Sequence, residues 1–217
     1  MLKFLGRGSG FSRENTSAFY EFDNSLLLID CGYTVFNKCM EKLNFSKYDN
    51  IYIAITHLHP DHAGSLGQLI LYLGYALSKT AVIVTKCEKI QEFLDISGIN
   101  REFYQISDGK EIGITFIKTT HINLLDSYGF VFKNEGQTII YTGDASSLEP
   151  FEKYLEIADE LYVEVSKTGI VHIQIDEILP KLLEIQRKGT KIYLMHLDDE
   201  IYIANATKGK LEFANLV

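Results

Sequence analysis

Within six positions, "HLHPDH" gathers His57, His59, Asp61 and His62, three of the chain's six histidines and one carboxylate. Imidazole nitrogens and carboxylate oxygens are the donors that hold a divalent transition metal, whereas neither a packed core nor a solvated loop needs such a cluster. The run follows an apolar stretch, "NIYIAIT", and precedes "GSLGQLILYLGYAL", so it stands where a buried strand gives way to a helix. On an extended segment His57 and His59 point to the same side, because side chains alternate with period two. Pro60 then bends the chain, so that Asp61 and His62 aim at a second point nearby. This division predicts two metal ions, zinc first, with manganese or iron as the other candidates.

Such donors need a rigid frame, and the rest of the chain supplies the pieces of one. "LKFL" reads as a strand and runs into the glycine-rich loop "GRGSGFSRENT"; "SAFYEF" and "SLLLIDC" flank "DN" as a hairpin. "TVFNKCMEKL" sets Val35, Phe36, Cys39, Met40 and Leu43 at helical spacing, which predicts one buried face. "AVIVT" is a strand and "KCEKIQEFLDI" a helix. Strand-like runs then follow: "EFYQI", "EIGITFIKT", "SYGFVFK" and "TIIYT", with "KNEGQ" as a turn. "LEPFEKYLEI" is a short helix, "ELYVEV" a strand and "KIYLM" a last buried strand. Between them "IDEILPKLLEIQRKG" is an amphipathic helix with Ile175, Ile178, Leu179, Leu182 and Leu183 on one face, and Pro180 predicts a kink or a later start. Both halves run strands first, then strands alternating with helices. This α/β (α+β) pattern suits a four-layer αββα sandwich, two mixed sheets flanked by helices, although the pattern alone does not separate it from another α/β arrangement.

The 217 residues suit a single domain spanning 1–217. A net charge of −8 works against broad attraction to nucleic acid, which needs a basic footprint. Cys31, Cys39 and Cys87 form neither a C-x-x-C pair nor an even framework, which favours a reducing compartment. No signal peptide or membrane span is visible, so the expected location is cytoplasmic.

"THLHPDHAG" resembles the metal-binding motif of the metallo-β-lactamase superfamily, and the resemblance continues in order along almost the whole chain. In "KTTHINLLDSYGF" it implies His121 as the next ligand, in "IIYTGDAS" Asp144 as a bridging carboxylate, and in "IYLMHL" His196 as the last. A lone histidine at a strand end is more often structural, and Asp144 alone reads equally as a turn residue or helix cap. What the superfamily implies here is one metal on His57, His59 and His121 and another on Asp61, His62 and His196, with Asp144 shared. Asp30, in "LLLIDCG", matches an aspartate that supports the first motif by fixing a histidine tautomer, with a turn-starting aspartate as the bland reading.

Two metals about 3.5–4 Å apart hold and acidify a bridging hydroxide, so the implied chemistry is hydrolysis, with Asp61 among the catalytic residues. Redox di-iron members resemble H-x-E-x-D; His59 stands where their glutamate would be. The opening "FLGRGSGFSRENTS" and the later "HINLLDSYGF" are similar to the tRNase Z and phosphodiesterase branch. "ELYVEVSKTGIVHIQIDEIL" resembles the segment there in which a glutamate and a histidine protonate the leaving group, here Glu164 and His172. His172 reads as readily as an N-terminal helix residue. True tRNA-processing members carry a histidine just before that glutamate, where this chain has Val163, and a long basic arm that residues 122–143 leave no room for. The expected substrate is therefore a small molecule or short nucleotide, such as a cyclic phosphodiester, with no extended nucleic-acid surface and no membrane. Arg7 and Arg13 in the glycine-rich loop are candidates for phosphate contacts. Lactone or thioester hydrolysis, tRNA 3′-end cleavage and a non-catalytic metal-bearing protein stay open as alternatives, as does a homodimer by analogy.

Overall fold

The strand-forming runs pair in the order in which they occur along the chain. The computed structural model describes residues 1–217 and contains two compact units, residues 1–109 with 215–217, and residues 110–214. In the first unit β1 (Lys3–Gly6), β2 (Ser17–Phe22), β3 (Ser25–Ile29), β4 (Asn50–Ile55), β5 (Ala81–Thr85) and β6 (Tyr104–Ser107) make one sheet in that order. The strands β1 to β3 are antiparallel, and β3 to β6 are parallel. Asp23 and Asn24 turn the β2–β3 hairpin with φ of 41° and 57°, the left-handed pair that a tight hairpin of this twist requires and that Asp and Asn tolerate. Parallel neighbours need crossovers. These are α1 (Val35–Lys42) after β3, α2 (Pro60–Ala63) with α3 (Leu66–Leu77) after β4, and α4 (Ile90–Ile96) after β5.

The second unit repeats the plan. The strands β7 (Ile114–Thr119), β8 (Ser127–Asn134) and β9 (Gln137–Tyr141) are antiparallel, and β10 (Glu160–Glu164), β11 (Lys191–Met195) and β12 (Glu212–Phe213) continue from β9 in parallel. Its helices are α5 (Glu152–Leu155), α6 (Ile175–Arg187) and α7 (Glu200–Thr207). Ile175, Leu182 and Ile185 of α6 pack with Val131, Ile140, Leu161, Val163 and Leu194 of the sheet. Two mixed sheets with flanking helices are what the sequence pattern predicts.

Several local expectations are corrected. Met40 on α1 is exposed, and only Val35 and Cys39 of that helix are buried. The helix α6 begins at Ile175 and runs through Pro180, so the later start does not occur; the lost bond falls on Asp176, in the first turn. "EFYQI" becomes strand only at Tyr104, after a single 3-10 turn, and "EIGITFIKT" only at Ile114. After His196 the chain still forms α7 and β12, with Asp199 accepting from the Tyr202 amide at the α7 N-terminus. The three cysteines are buried and free, and burial pushes the Cys31 thiol up to about 12. No helix is long and apolar enough to cross a membrane.

Glu21 on β2 gathers three donors, Lys47 Nζ at 2.6 Å, Lys3 Nζ at 2.9 Å and Tyr48 Oη at 2.7 Å. Led by Lys47, they hold its carboxyl down to about 2 from an ordinary 4.5. A pKa lowered by folding adds stability that is fully present above the unfolded value and is lost as pH falls through the folded one. Glu21→Gln is therefore expected to lower the unfolding free energy by about 1 kcal/mol at pH 7, the scale of a partly exposed network. Urea unfolding across a pH series should show the variant and parent converging between pH 4.5 and about 2.

Candidate metal centre

Parallel strands bring their C-terminal ends to one edge of a sheet, and the functional side chains follow those ends. In the first unit Asp30 follows β3, and Thr56 and His57 follow its parallel neighbour β4. Asp30 is fully buried with a left-handed backbone, φ 58°. The Thr56 amide donates to its Oδ1 at 2.9 Å, the Thr56 hydroxyl lies 3.0 and 2.9 Å from its two oxygens, and His62 Nδ1 lies 2.9 Å from Oδ2. Burial pushes the Asp30 carboxyl up, and the His62 and Thr56 donors oppose that push.

These contacts assign the histidine tautomers. The Thr56 hydroxyl has one proton; directed to Asp30, it leaves Oγ1 to accept from His57 Nδ1, 3.1 Å away. His62 Nδ1–H donates to Asp30. Both rings thus carry their proton on Nδ1 and offer a lone pair at Nε2, the form in which imidazole binds a metal. His57 Nε2 is 2.9 Å from His59 Nδ1, and His62 Nε2 is 3.3 Å from Asp61 Oδ2. The His57 ring also lies against that of His62, with centroids 4.1 Å apart, so the four side chains form one close group.

The motif is positioned by backbone. Pro60 opens the single turn of α2, a position that does not need its missing N–H. The Cys31 amide donates to His62 O at 2.7 Å and the Tyr33 amide to Pro60 O at 3.0 Å. Gly32 allows this approach: a Cβ there would lie 1.9 Å from Asp61 O. The N-T-S run ties the glycine-rich loop to the same place. Asn15 Oδ1 accepts from the Thr34 amide at 3.2 Å, the Thr16 hydroxyl donates to Gly8 O at 2.9 Å, and the Ser17 hydroxyl to Asp30 O at 2.8 Å.

The second unit collects its residues on the same principle, His121 at the antiparallel edge strand excepted. His121 follows β7, Asp144 follows β9, Glu164 ends β10, and His196 follows β11 with φ 55°. His121 Nδ1 donates to the Val171 carbonyl at 3.0 Å, and its Nε2 lies 3.6 Å from Asp144 Oδ2. His196 Nε2 is 3.5 Å from Asp144 Oδ1, and its Nδ1 is 3.5 Å from Glu164 Oε2. Glu164 accepts the Ala145 amide on Oε1, and His172 Nδ1 is 2.8 Å from Oε2. Burial works to lower the His172 pKa, but the bonded Glu164 carboxylate, with Asp144 nearby, outweighs it and holds the imidazolium above its usual range. Asp144, Glu164, His172 and His196 offer donor atoms that all lie within 4.8 Å of one another.

The donors fit divalent metal chemistry. In the second unit two carboxylates that are 2% and 0% exposed, Asp144 and Glu164, share one cluster with three imidazoles; buried anions this close require positive charge between them. Spacing pointed to His57, His59, Asp61 and His62, and the family resemblance to His121, Asp144, Glu164, His172 and His196; the supports escaped both: Thr56, Thr34, the Val171 carbonyl and Thr142, whose hydroxyl accepts the Glu164 amide at 3.0 Å. Thr56 stood in plain view, immediately before the first histidine. Its role depends on Asp30, 26 positions away.

Comparison with known proteins adds a family to this geometry. The family model described as "Anti-Pycsar protein Apyc1" matches residues 1–94 and 83–216. A protein of that description from Bacillus phage vB_BsuM-Goe3 is 28% identical over 250 aligned residues, covering 98% of this chain and 95% of its own. Among solved structures, the metallo-β-lactamase fold protein YhfI from Bacillus subtilis superposes with a TM-score of 0.78 at 22% identity, covering 100% of this chain and 94% of its own. Human tRNase Z, short form, gives 0.70 at 19%, covering 93% of each. At such identities the likeness shows the fold: the chain has the metallo-β-lactamase fold.

Asp30→Ala removes the acceptor shared by the Thr56 amide, the Thr56 hydroxyl and His62. A buried donor left without an acceptor costs about 1–3 kcal/mol, so urea unfolding should show a loss at the upper end of that range. Metal titration should show affinity weakened about 10–100-fold, the usual effect of losing a partner behind a ligating histidine. Asp30→Asn, which keeps one acceptor oxygen, is expected to fall between.

Proposed function

The chain belongs to the anti-Pycsar protein Apyc1 family, and we propose that it is a binuclear metal-dependent phosphodiesterase acting on a small or cyclic nucleotide in the cytoplasm. The observation that carries this reading is the His172–Glu164 pair at 2.8 Å, set beside Asp144 and His196. Phosphodiester cleavage expels an alkoxide, a poor leaving group that needs a proton as the bond breaks. His172 Nδ1 is held by Glu164, which leaves the proton on Nε2 as the one to transfer. The Glu164 carboxylate bonded to it shifts the imidazole towards the protonated form against the opposing effect of burial.

The donor set is taken in the order the sequence resemblance gives: His57, His59 and His121 for one ion, Asp61, His62 and His196 for the other, and Asp144 for both. Two divalent cations, zinc first, supply an acidified water and neutralise phosphoryl charge when bound. The protein's part is to orient three of the imidazoles, His57 through Thr56, His62 through Asp30 and His121 through the Val171 carbonyl. Glu164 orients His172 and shifts it towards the protonated form, and Asp144 adds charge that favours the same state.

Purified protein loaded with Zn²⁺ or Mn²⁺ is expected to hydrolyse bis-p-nitrophenyl phosphate and a 3′,5′-cyclic nucleotide, and Asp61→Ala to abolish both. Turnover confined to a lactone or a thioester would overturn the reading, and no turnover with two metals bound would favour a binding role. His172→Ala separates the acid from the metal. It should slow cyclic nucleotide hydrolysis by about 10²–10⁴-fold. The p-nitrophenyl ester, whose leaving group departs without a proton, should be slowed far less.

A further inference from the structure

We propose that Phe11 is the platform on which the nucleobase of the substrate stacks, an inference that rests on the nucleotide phosphodiesterase reading. Phe11 is 107% exposed, the most exposed large apolar side chain of the protein, with Ile170 and Leu124 next at 85%. It does not sit on a loose end. The Ser12 amide donates to Ser9 O at 3.0 Å, closing a turn with Gly10 and Phe11 at its corner. Tyr33 Oη donates to Gly10 O at 2.7 Å, and Asn15 Nδ2 to Ser9 O at 3.4 Å. The base of the loop is closed by the Gly8 amide on Glu14 O at 3.2 Å and the Thr16 amide on Gly8 O at 2.9 Å. The backbone that carries this exposed ring is thus braced at five points.

Its position gives the ring a purpose. Gly10, the preceding residue, lies against Asp61 so closely that a Cβ there would be 3.0 Å from Asp61 Oδ2. The ring is therefore carried one residue from a backbone that touches a proposed metal ligand. Tyr33, itself 49% exposed, is tied to the same motif by the hydrogen bond from its amide N–H to Pro60 O. The loop also carries Arg7 and the exposed Arg13. An aromatic face with cations beside a phosphoryl-transfer centre is the combination that grips a nucleotide by base and backbone. Stacking is tolerant of base identity, because every base has a π-face, so the platform selects nucleotides over other phosphodiesters without choosing among bases.

The chain contains no tryptophan, so Phe11→Trp places a single indole reporter at the site. Its emission is expected to be quenched saturably by 5′-AMP and not by ribose 5-phosphate. In parallel, Phe11→Ala should raise KM for 3′,5′-cyclic AMP about tenfold more than KM for the base-free methyl riboside 3′,5′-cyclic phosphate, with Phe11→Tyr restoring the parent ratio. Equal quenching by both monophosphates overturns the proposal, as does an equal KM change for both diesters. So does a change in association state on sedimentation with nucleotide binding intact, since Phe11 would then be a protein contact. Quenching by 5′-AMP without hydrolysis of any diester would support the platform and sink the phosphodiesterase reading. Hydrolysis without quenching or a base-dependent KM effect would do the reverse.

Discussion

A carboxylate taken out of water is stable only when donors or cations surround it, and the donor cluster of each unit is organised around such groups, Asp30 in the first and Asp144 with Glu164 in the second. Asp30, Asp144 and Glu164 are 0%, 2% and 0% exposed. Around Asp30 the protein provides the donors itself, an amide, a hydroxyl and an imidazole N–H. Satisfying the anion consumes the Nδ1 proton of His62 and directs the Thr56 hydroxyl so that it accepts from His57. The electrostatic need of one buried side chain thus fixes the metal-binding form of two histidines. Around Asp144 the neighbours are mostly imidazoles and a second carboxylate. Here two carboxylates stand among imidazole nitrogens, a donor set that a divalent cation complements.

The sheet plan decides where these groups stand. Both units place three antiparallel strands before three parallel ones, and the candidate site residues follow the ends of parallel-paired strands, except His121, which follows the antiparallel edge strand β7. The register aligns Ile29 with Ala54, and Glu164 with Met195, so adjacent strands finish level and their next residues become neighbours. At two of these exits, Asp30 and His196, a non-glycine residue adopts the left-handed conformation. Such a backbone costs about 1–2 kcal/mol. It persists because the ladder on one side and the side-chain contacts on the other determine it fully, and a strained residue at a working position is a recurring feature of functional sites.

The candidate donors were legible for two reasons: H-x-H-x-D-H brings four of them into six positions, and the family resemblance supplied His121, Asp144 and His196, which alone read as ordinary strand-end residues. The supports were not legible, because each depends on a partner far along the chain: Thr56 on Asp30, Asn15 on Thr34, His121 on Val171. His172 lay between. Its segment "VHIQID" reads as the start of a helix, and only the fold brings its Nδ1 to Glu164. Fold boundaries failed for local reasons. "EIYIANAT" forms α7 without an apolar stripe, since β-branched and small residues surround it on all sides. Met40 fits a helical stripe, yet the buried face of α1 is narrower than the stripe.

Val163 shows how the fold sharpens the choice of substrate. The tRNA-processing relatives place a histidine at this position, and its absence could have marked a damaged site. In β10, however, side chains alternate between faces, and Val163 is fully buried among Val131, Ile140 and Leu161. An imidazole there would enter an apolar cluster, on the side of the strand opposite Glu164. The position therefore serves the core of the second unit, and the pair Glu164–His172 is complete without it. A net charge of −8 and a short connection between His121 and Asp144 are the features that favour the proposed small substrate over tRNA.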